Sequence, residues 1–226
     1  GGFMKKGRLI MIILVLLIAG GLLWSHFIST KGLNVREYAV ENEKIPSSFN
    51  GLKIVQLSDL HYGRMVDDKV LEDIAKRINE LKPDLIVFTG DLIDKDIKIT
   101  DEKMASIKSF STSLDATIGK YAVKGNHDYS NNLFESIMTE SSFKILTDES
   151  DLIYYKGDTP IIISGFPSSI KAYPDYDNVF TNLSLTEEEL AAYYKVLLVH
   201  EPDQILKVAD KNFDLVLSGH SHNGQV

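Results

Sequence analysis

Gly125-Asn126-His127-Asp128 sets an amide, an imidazole and a carboxylate on consecutive residues, directly after the short apolar run Lys120–Val123 that reads as a buried strand. Residues at the point where a strand hands over to a loop are held by a rigid scaffold and face whatever binds at the strand end. Ser58-Asp59-Leu60-His61, Thr89-Gly90-Asp91 and Gly219-His220-Ser221-His222 repeat the arrangement, each after its own apolar run. His200 closes a fifth run, Val196–Val199, so five of the six histidines occupy such places. Oxygen and imidazole donors collected in this way are what a metal site requires. With no cysteine in the chain, the ligand set suits Mn²⁺, Fe or Zn²⁺ without choosing among them.

Singly, these motifs say less. A Gly-Asp after a strand is ordinarily a turn, and a lone histidine such as His200 is ordinarily a satisfied core residue. Gly-His-x-His is stronger, because two imidazoles two residues apart can bind one metal or two neighbouring ones. Five motifs, each at a strand end, argue for one shared site.

The elements that must position them follow from hydrophobic periodicity. Leu52–Leu57 reads as the first strand. Asp67–Leu81 reads as a helix through Val70, Leu71, Ile74, Ile78 and Leu81, stopped by Pro83. Leu85–Phe88 is apolar on both faces, as a covered parallel strand is. Thr100–Leu114 repeats the helical spacing with Met104, Ile107, Phe110 and Leu114, and Leu133–Ile137 suggests a short helix. Leu152–Tyr155 and Ile161–Gly165 read as hairpin strands around Lys156-Gly157-Asp158. Thr186-Glu187-Glu188-Glu189 is a capping box opening a helix through Tyr194, followed by strand Val196–Val199, helix Asp203–Ala209 and strand Asp214–Leu217. Strands alternating with helices argue for an α/β fold. Ser168–Asn182 is an irregular loop; its Tyr173 and Tyr176, with nearby Phe166 and Phe180, are accounted for by loop packing, an apolar lip for a lipid being the sharper alternative.

At the N-terminus, Lys5, Lys6 and Arg8 precede the unbroken apolar run Leu9–Trp24, which Ser25–Ile28 extends. A spanning helix wants about 20 apolar residues and a signal-peptide core about 7–15. The run lies nearer an uncleaved anchor, although Ala19-Gly20-Gly21 would support cleavage. The basic flank predicts a cytoplasmic N-terminus and a single-pass cell-membrane protein with its catalytic domain on the extracytoplasmic side. Residues 1–30 are thus read as basic tip and transmembrane anchor, 31–50 as a linker with an edge strand over Asn34–Glu43, and 51–226 as one catalytic domain. A net charge of -8 with no Lys/Arg stripe argues against a nucleic-acid partner.

From Leu52 onward the motifs resemble the calcineurin-like metallophosphoesterases. That family's pattern of Asp-x-His, Gly-Asp, Gly-Asn-His-Asp/Glu, His and Gly-His-x-His is present in full, and the wording of the first and last motifs is similar to its membrane-associated, YkuE- and YaeI-like branch. The resemblance implies a four-layer α/β/β/α sandwich with two divalent metal ions. One would be held by Asp59, His61 and His222, the other by Asn126, His200 and His220, with Asp91 bridging. A hydroxide shared by the ions would attack phosphorus, His127 would stabilise the phosphoryl group or protonate the leaving oxygen, and Asp128 would orient its imidazole. Arg64, three residues past His61, would contact the substrate phosphate or be a solvated loop arginine. The strands that family members carry after the last motif are missing here, so a C-terminally truncated chain is expected.

The implied function is a membrane-anchored dimetal phosphoesterase acting on phosphomono-, phosphodi- or pyrophosphate esters carried on a lipid. A phosphodiesterase for soluble nucleotides is the neighbouring alternative. A non-catalytic scaffold on the same fold is disfavoured because every ligand position is filled, and a dimetal peptidase because no motif supplies a glutamate.

Overall fold

The computed structural model describes residues 33, 35–130 and 132–222. The anchor expected over residues 1–30 lies outside them, and among the described residues no helix is long and apolar enough to cross a membrane. The chain divides into the units Gly1–Ala39 and Val40–Val226. In the first, residues 35–39 carry neither helix nor strand. The edge strand expected over Asn34–Glu43 is absent from the described residues, because its apolar positions meet nothing to bury them: Tyr38 is 79% and Val40 49% exposed.

The second unit is built on two four-stranded sheets. In the first, β1 (Ile54–Leu57), β2 (Leu85–Phe88), β3 (Gly119–Ala122) and β4 (Phe143–Ile145) lie side by side, all parallel. In the second, β5 (Glu149–Ile153) pairs antiparallel with β6 (Ile161–Gly165), and β6, β7 (Lys195–Val199) and β8 (Leu215–Ser218) are parallel. Strand β4 was not anticipated: three residues after a helix give too short a run for periodicity to register. The hairpin is real but shifted, with Glu149 opposite Gly165 and Ile153 opposite Ile161.

Alternation along the strands divides the core. Leu85 and Val87 of β2 meet Val196 and Leu198 of β7 between the sheets, while Ile86 and Phe88 face the helices. Those helices are α1 (Asp68–Leu81), α2 (Asp101–Ser113) and α3 (Phe134–Glu140). Asp67 caps α1 by accepting the Val70 amide at 3.0 Å, and Lys82 ends it in a left-handed conformation ahead of Pro83. Leu71, Ile74, Ala75 and Ile78 form its buried face, whereas Val70, expected there, stays 40% exposed.

The outer face of the second sheet departs from the expected fourth layer of α-helix. Leu197 and Val199 are covered by Val179, Val208 and Phe166, with Tyr176, Phe180, Ile205 and Phe213 packed around them. These come from the Ser168–Asn182 loop and from the 3-10 turns Pro202–Lys207 and Ala209–Lys211, which replace the expected Asp203–Ala209 α-helix. Phe166, Tyr176 and Phe180 therefore serve as core. The predicted capping box is present at Thr186 and Glu189, opening the short α4 (Glu187–Ala192), which buries none of its residues.

Packing and capping should separate cleanly in stability. Leu198→Ala, deep between the sheets, should lower unfolding free energy by about 2–5 kcal/mol, and Thr186→Ala by about 1 kcal/mol. Urea unfolding followed by circular dichroism checks this; equal losses would mean that α4 matters to the fold more than its exposure suggests.

Candidate metal centre

Parallel strands place their C-terminal ends on one edge, which is where open α/β sheets bind ligands. β1 delivers Asp59 and His61, β2 Asp91, β3 Asn126 and His127, β7 His200 and β8 His220 and His222. The two sheets are tied together there. The Gln56 side chain donates to the Ser218 carbonyl at 2.9 Å and to Thr89 Oγ1 at 3.0 Å, and the His220 amide donates to Asp59 at 3.0 Å.

The backbone of this edge is unusual. Asp59, His61, Asp91, His220 and His222 have φ of 54°, 42°, 61°, 63° and 46°. Left-handed non-glycine residues cost about 1–3 kcal/mol each and persist only where surroundings over-determine them. Here the ladder continues past the strands, with Asp59 N donating to the Gly90 carbonyl at 2.9 Å and His61 N to the Asp91 carbonyl at 3.1 Å. Gly90, at φ 98°, is obligatory for a second reason: a Cβ there would meet the Gly125 backbone at 2.6 Å and His200 Nδ1 at 2.7 Å.

Asp91 sits at the middle and is almost wholly buried. Its Oδ1 accepts the His127 amide at 2.8 Å. Its Oδ2 lies 3.2 Å from His200 Nε2 and 3.5 Å from His61 Nε2. Burial works against its charge, but the bond to His200 and that imidazole's charge prevail and hold the carboxyl below its ordinary range. On one side, His61 Nε2 is 3.2 Å from His222 Nε2, and Asp59 Oδ1 is 3.5 Å from the same His222 atom. On the other, His200 Nε2 lies 3.1 Å from Asn126 Oδ1 and 3.3 Å from His220 Nδ1. Donor atoms of Asp59, His61 and His222 all lie within 4.8 Å of one another, as do those of Asp59, Asp91 and His200.

The opposite nitrogens of the two central imidazoles are held from behind. His200 Nδ1 meets the Thr89 carbonyl at 2.7 Å, which directs Nε2 into the cluster. His61 Nδ1 lies 3.4 Å from Asp94 Oδ2, a charge contact not aligned as a hydrogen bond, and neither atom has a hydrogen-bond partner. Burial lowers the pKa of His61, which favours the neutral imidazole that a metal would need. Oxygen and imidazole donors converging from two sides on one shared carboxylate fit divalent metal binding. Glu201 also neighbours His200 and His220, but its carboxylate is occupied by Ser168, Ser169 and Gln204.

Asp94 is the residue beside the cluster that motif reading missed. The same Oδ2 lies 3.6 Å from Arg64 Nη1 and 3.7 Å from His127 Nδ1. Asp128 is expected to orient His127, but the carboxylate facing the His127 imidazole is that of Asp94. Asp128 instead accepts three backbone amides, from Asp91 at 2.8 Å, Leu92 at 2.9 Å and Gly125 at 2.9 Å. It clamps the Asp91 turn against the Asn126 turn, and burial together with the Asp91 charge pushes its carboxyl up to about 7. The Arg64 side chain is 65% exposed, and its guanidinium lies 3.6 Å from Asp94. A groove of about 570 Å³ between α1 and α2 holds none of these residues.

Such a ligand array at the edge of paired α/β sheets defines a metal-dependent phosphoric ester hydrolase. The chain belongs to the calcineurin-like metallophosphoesterases: residues 52–224 match the family described as calcineurin-like phosphoesterase. It is 33% identical to the uncharacterized metallophosphoesterase YkuE of Bacillus subtilis over 92% of this chain and 71% of that one. It is 34% identical to an uncharacterized metallophosphoesterase of Aquifex aeolicus, over 89% and 74% of the two chains. A third relative, 28% identical over 90% and 73%, is the UDP-2,3-diacylglucosamine pyrophosphatase LpxG of Chlamydia trachomatis.

The proton on His200 makes metal loading depend on pH. Burial alone would lower its pKa, but Asp91 and the Thr89 carbonyl face its two nitrogens and raise it to about 9. A cation taken up by His200 Nε2 would displace that proton, so affinity should then rise about tenfold per pH unit up to about 9 and level off above it. Calorimetric Mn²⁺ titrations at pH 7.5 in buffers of different ionisation enthalpy should report about one proton released at this position; binding without proton release would contradict it.

Proposed function

We propose that this chain is a membrane-anchored phosphoesterase that holds two divalent cations and hydrolyses a phosphate ester or pyrophosphate carried on a lipid. The observation that carries the reading is the single Asp91 oxygen lying 3.5 Å from His61 and 3.2 Å from His200. Asp59, His61 and His222 would hold one cation and Asn126, His200 and His220 the other, with Asp91 between them. Bound there, divalent cations supply positive charge to phosphoryl oxygens and lower the pKa of an attacking water towards neutrality.

The chain's own residues do the remainder. His127 turns Nδ1 towards Asp94 and the Lys95 amide, 3.4 Å away, which leaves Nε2 to protonate the leaving oxygen as its bond to phosphorus breaks. Arg64, held against Asp94, supplies a guanidinium for a non-transferred phosphate oxygen. The lipid element is supported by the apolar run Leu9–Trp24 behind Lys5, Lys6 and Arg8, and by relatives whose name specifies a diacylated sugar nucleotide as the substrate of a pyrophosphatase. Residues 1–30 would be the anchor, with 31–50 as linker and the catalytic domain outside the cytoplasm.

A panel of phosphomonoesters, phosphodiesters and lipid-linked pyrophosphates, run with added Mn²⁺ on the full chain and on a variant lacking residues 1–30, tests the assignment. Both forms should turn over small substrates; activity confined to soluble cyclic nucleotides would contradict the lipid reading. Within that panel, His127→Ala should keep its metal and lose about 10²–10⁴-fold on poor leaving groups, less on nitrophenyl phosphate. His220→Ala should lose metal together with activity on every substrate. Should His127→Ala slow both leaving-group classes equally, the general-acid role is wrong.

A further inference from the structure

β6 runs parallel to β7, so the loop that leaves Gly165 emerges at the same sheet edge as His200. That loop is fixed at both ends. Glu201, buried directly after His200, accepts Ser168 Oγ at 2.5 Å, the Ser169 amide at 2.9 Å and Gln204 Nε2 at 2.8 Å. The Ser168 amide donates to the carbonyl of Lys124, two residues before Asn126. At the far end the Tyr176 hydroxyl donates to Gln204 Oε1 at 3.0 Å, and its ring packs edge-on against Phe166, centroids 4.9 Å apart.

Between these clamps the chain turns its bulkiest apolar side chains to solvent. Ile170 is 55% exposed and Tyr173 is 101% exposed, while Leu206, two residues past Gln204, is 78% exposed. The next residue after Ile170 is Lys171 and the next after Leu206 is Lys207, both exposed. A held backbone that keeps large apolar groups in water, two of the three next in the chain to a lysine, gains free energy when something apolar covers them. The pairing of apolar side chain with adjacent cation matches a hydrocarbon tail next to its anionic phosphate.

We infer that Ile170, Tyr173 and Leu206 form a fixed apolar lip that takes the hydrocarbon tail of the lipid-carried substrate while its phosphoryl group is at the metal ligands. The inference rests on the lipid-substrate reading above. It also separates the loop's aromatic residues by task, since Phe166 and Tyr176 hold the lip and Tyr173 belongs to its contact surface.

The test compares farnesyl pyrophosphate with inorganic pyrophosphate, which share the bond to be cleaved and differ in the tail, using the full chain in detergent micelles with Mn²⁺. The wild type should prefer farnesyl pyrophosphate in kcat/KM. Ile170→Ser/Tyr173→Ser should lower that preference about tenfold, chiefly through KM, as expected for losing two apolar contacts to a tail. Leu206→Ser, made separately, should lower it several-fold. The preference is a ratio, so a general loss of folded protein leaves it unmoved, and Tyr173→Ser alone touches no packing. A wild type that prefers farnesyl pyrophosphate, with variants that keep that preference, overturns the lip alone. A wild type that cleaves inorganic but not farnesyl pyrophosphate overturns both the lip and the lipid-substrate reading.

Discussion

The structure depends on a single shared carboxylate. Asp91 divides its two oxygens, one accepting the His127 amide and the other lying between the imidazoles of His61 and His200. A buried anion needs partners that outweigh its lost hydration, and this one draws them from strands of both sheets. The left-handed turn at Asp91, the glycine before it and the Asp128 clamp on its amide are all ways of holding that carboxylate at one point.

The fold provides the constraint by ending β1, β2, β3, β7 and β8 at a common edge. Packing there is close: a Cβ on Gly219 would meet the Ser58 side chain, Asp59 Oδ2 at 2.6 Å and the Thr89 carbonyl oxygen at 3.1 Å. The second tier of the site works by orientation. Thr89 aims one imidazole through its carbonyl, and Asp94 faces a second imidazole, His127 and Arg64 together. Such supporting contacts typically alter metal affinity or activity by about 10–100-fold when removed, which places Asp94 among the residues that matter although it touches no reacting atom.

Much of the arrangement was legible in the sequence. The strands ending in Asp59, Asp91, Asn126, His200 and His220 are short apolar runs broken by polar residues, and that pattern survives any shift in tertiary context. The parts that were not legible have physical reasons. Asp94 lies in Leu92-Ile93-Asp94, where a lone carboxylate after an apolar pair looks like a turn and only three-dimensional closeness gives it a role. Asp128 follows His127 in the chain, yet the 3-10 turn over His127–Tyr129 points the two side chains at different partners. Phe166, Tyr176 and Phe180 pack as the loop reading had them, but loop residues give no periodic signal that would say against which strand. The segment after Pro202 has helical spacing over too few residues, and it settles as 3-10 turns against Leu197 and Val199.

Whether the Asp91 carboxylate is shared between two metal ions can be read from electron paramagnetic resonance of the Mn²⁺-loaded protein. A bridging carboxylate couples the spins of neighbouring Mn²⁺ ions. The account predicts an exchange-coupled spectrum at two ions per chain, collapsing to that of isolated ions in Asp91→Ala. A wild-type protein that binds Mn²⁺ tightly yet shows only isolated ions at full loading would contradict it.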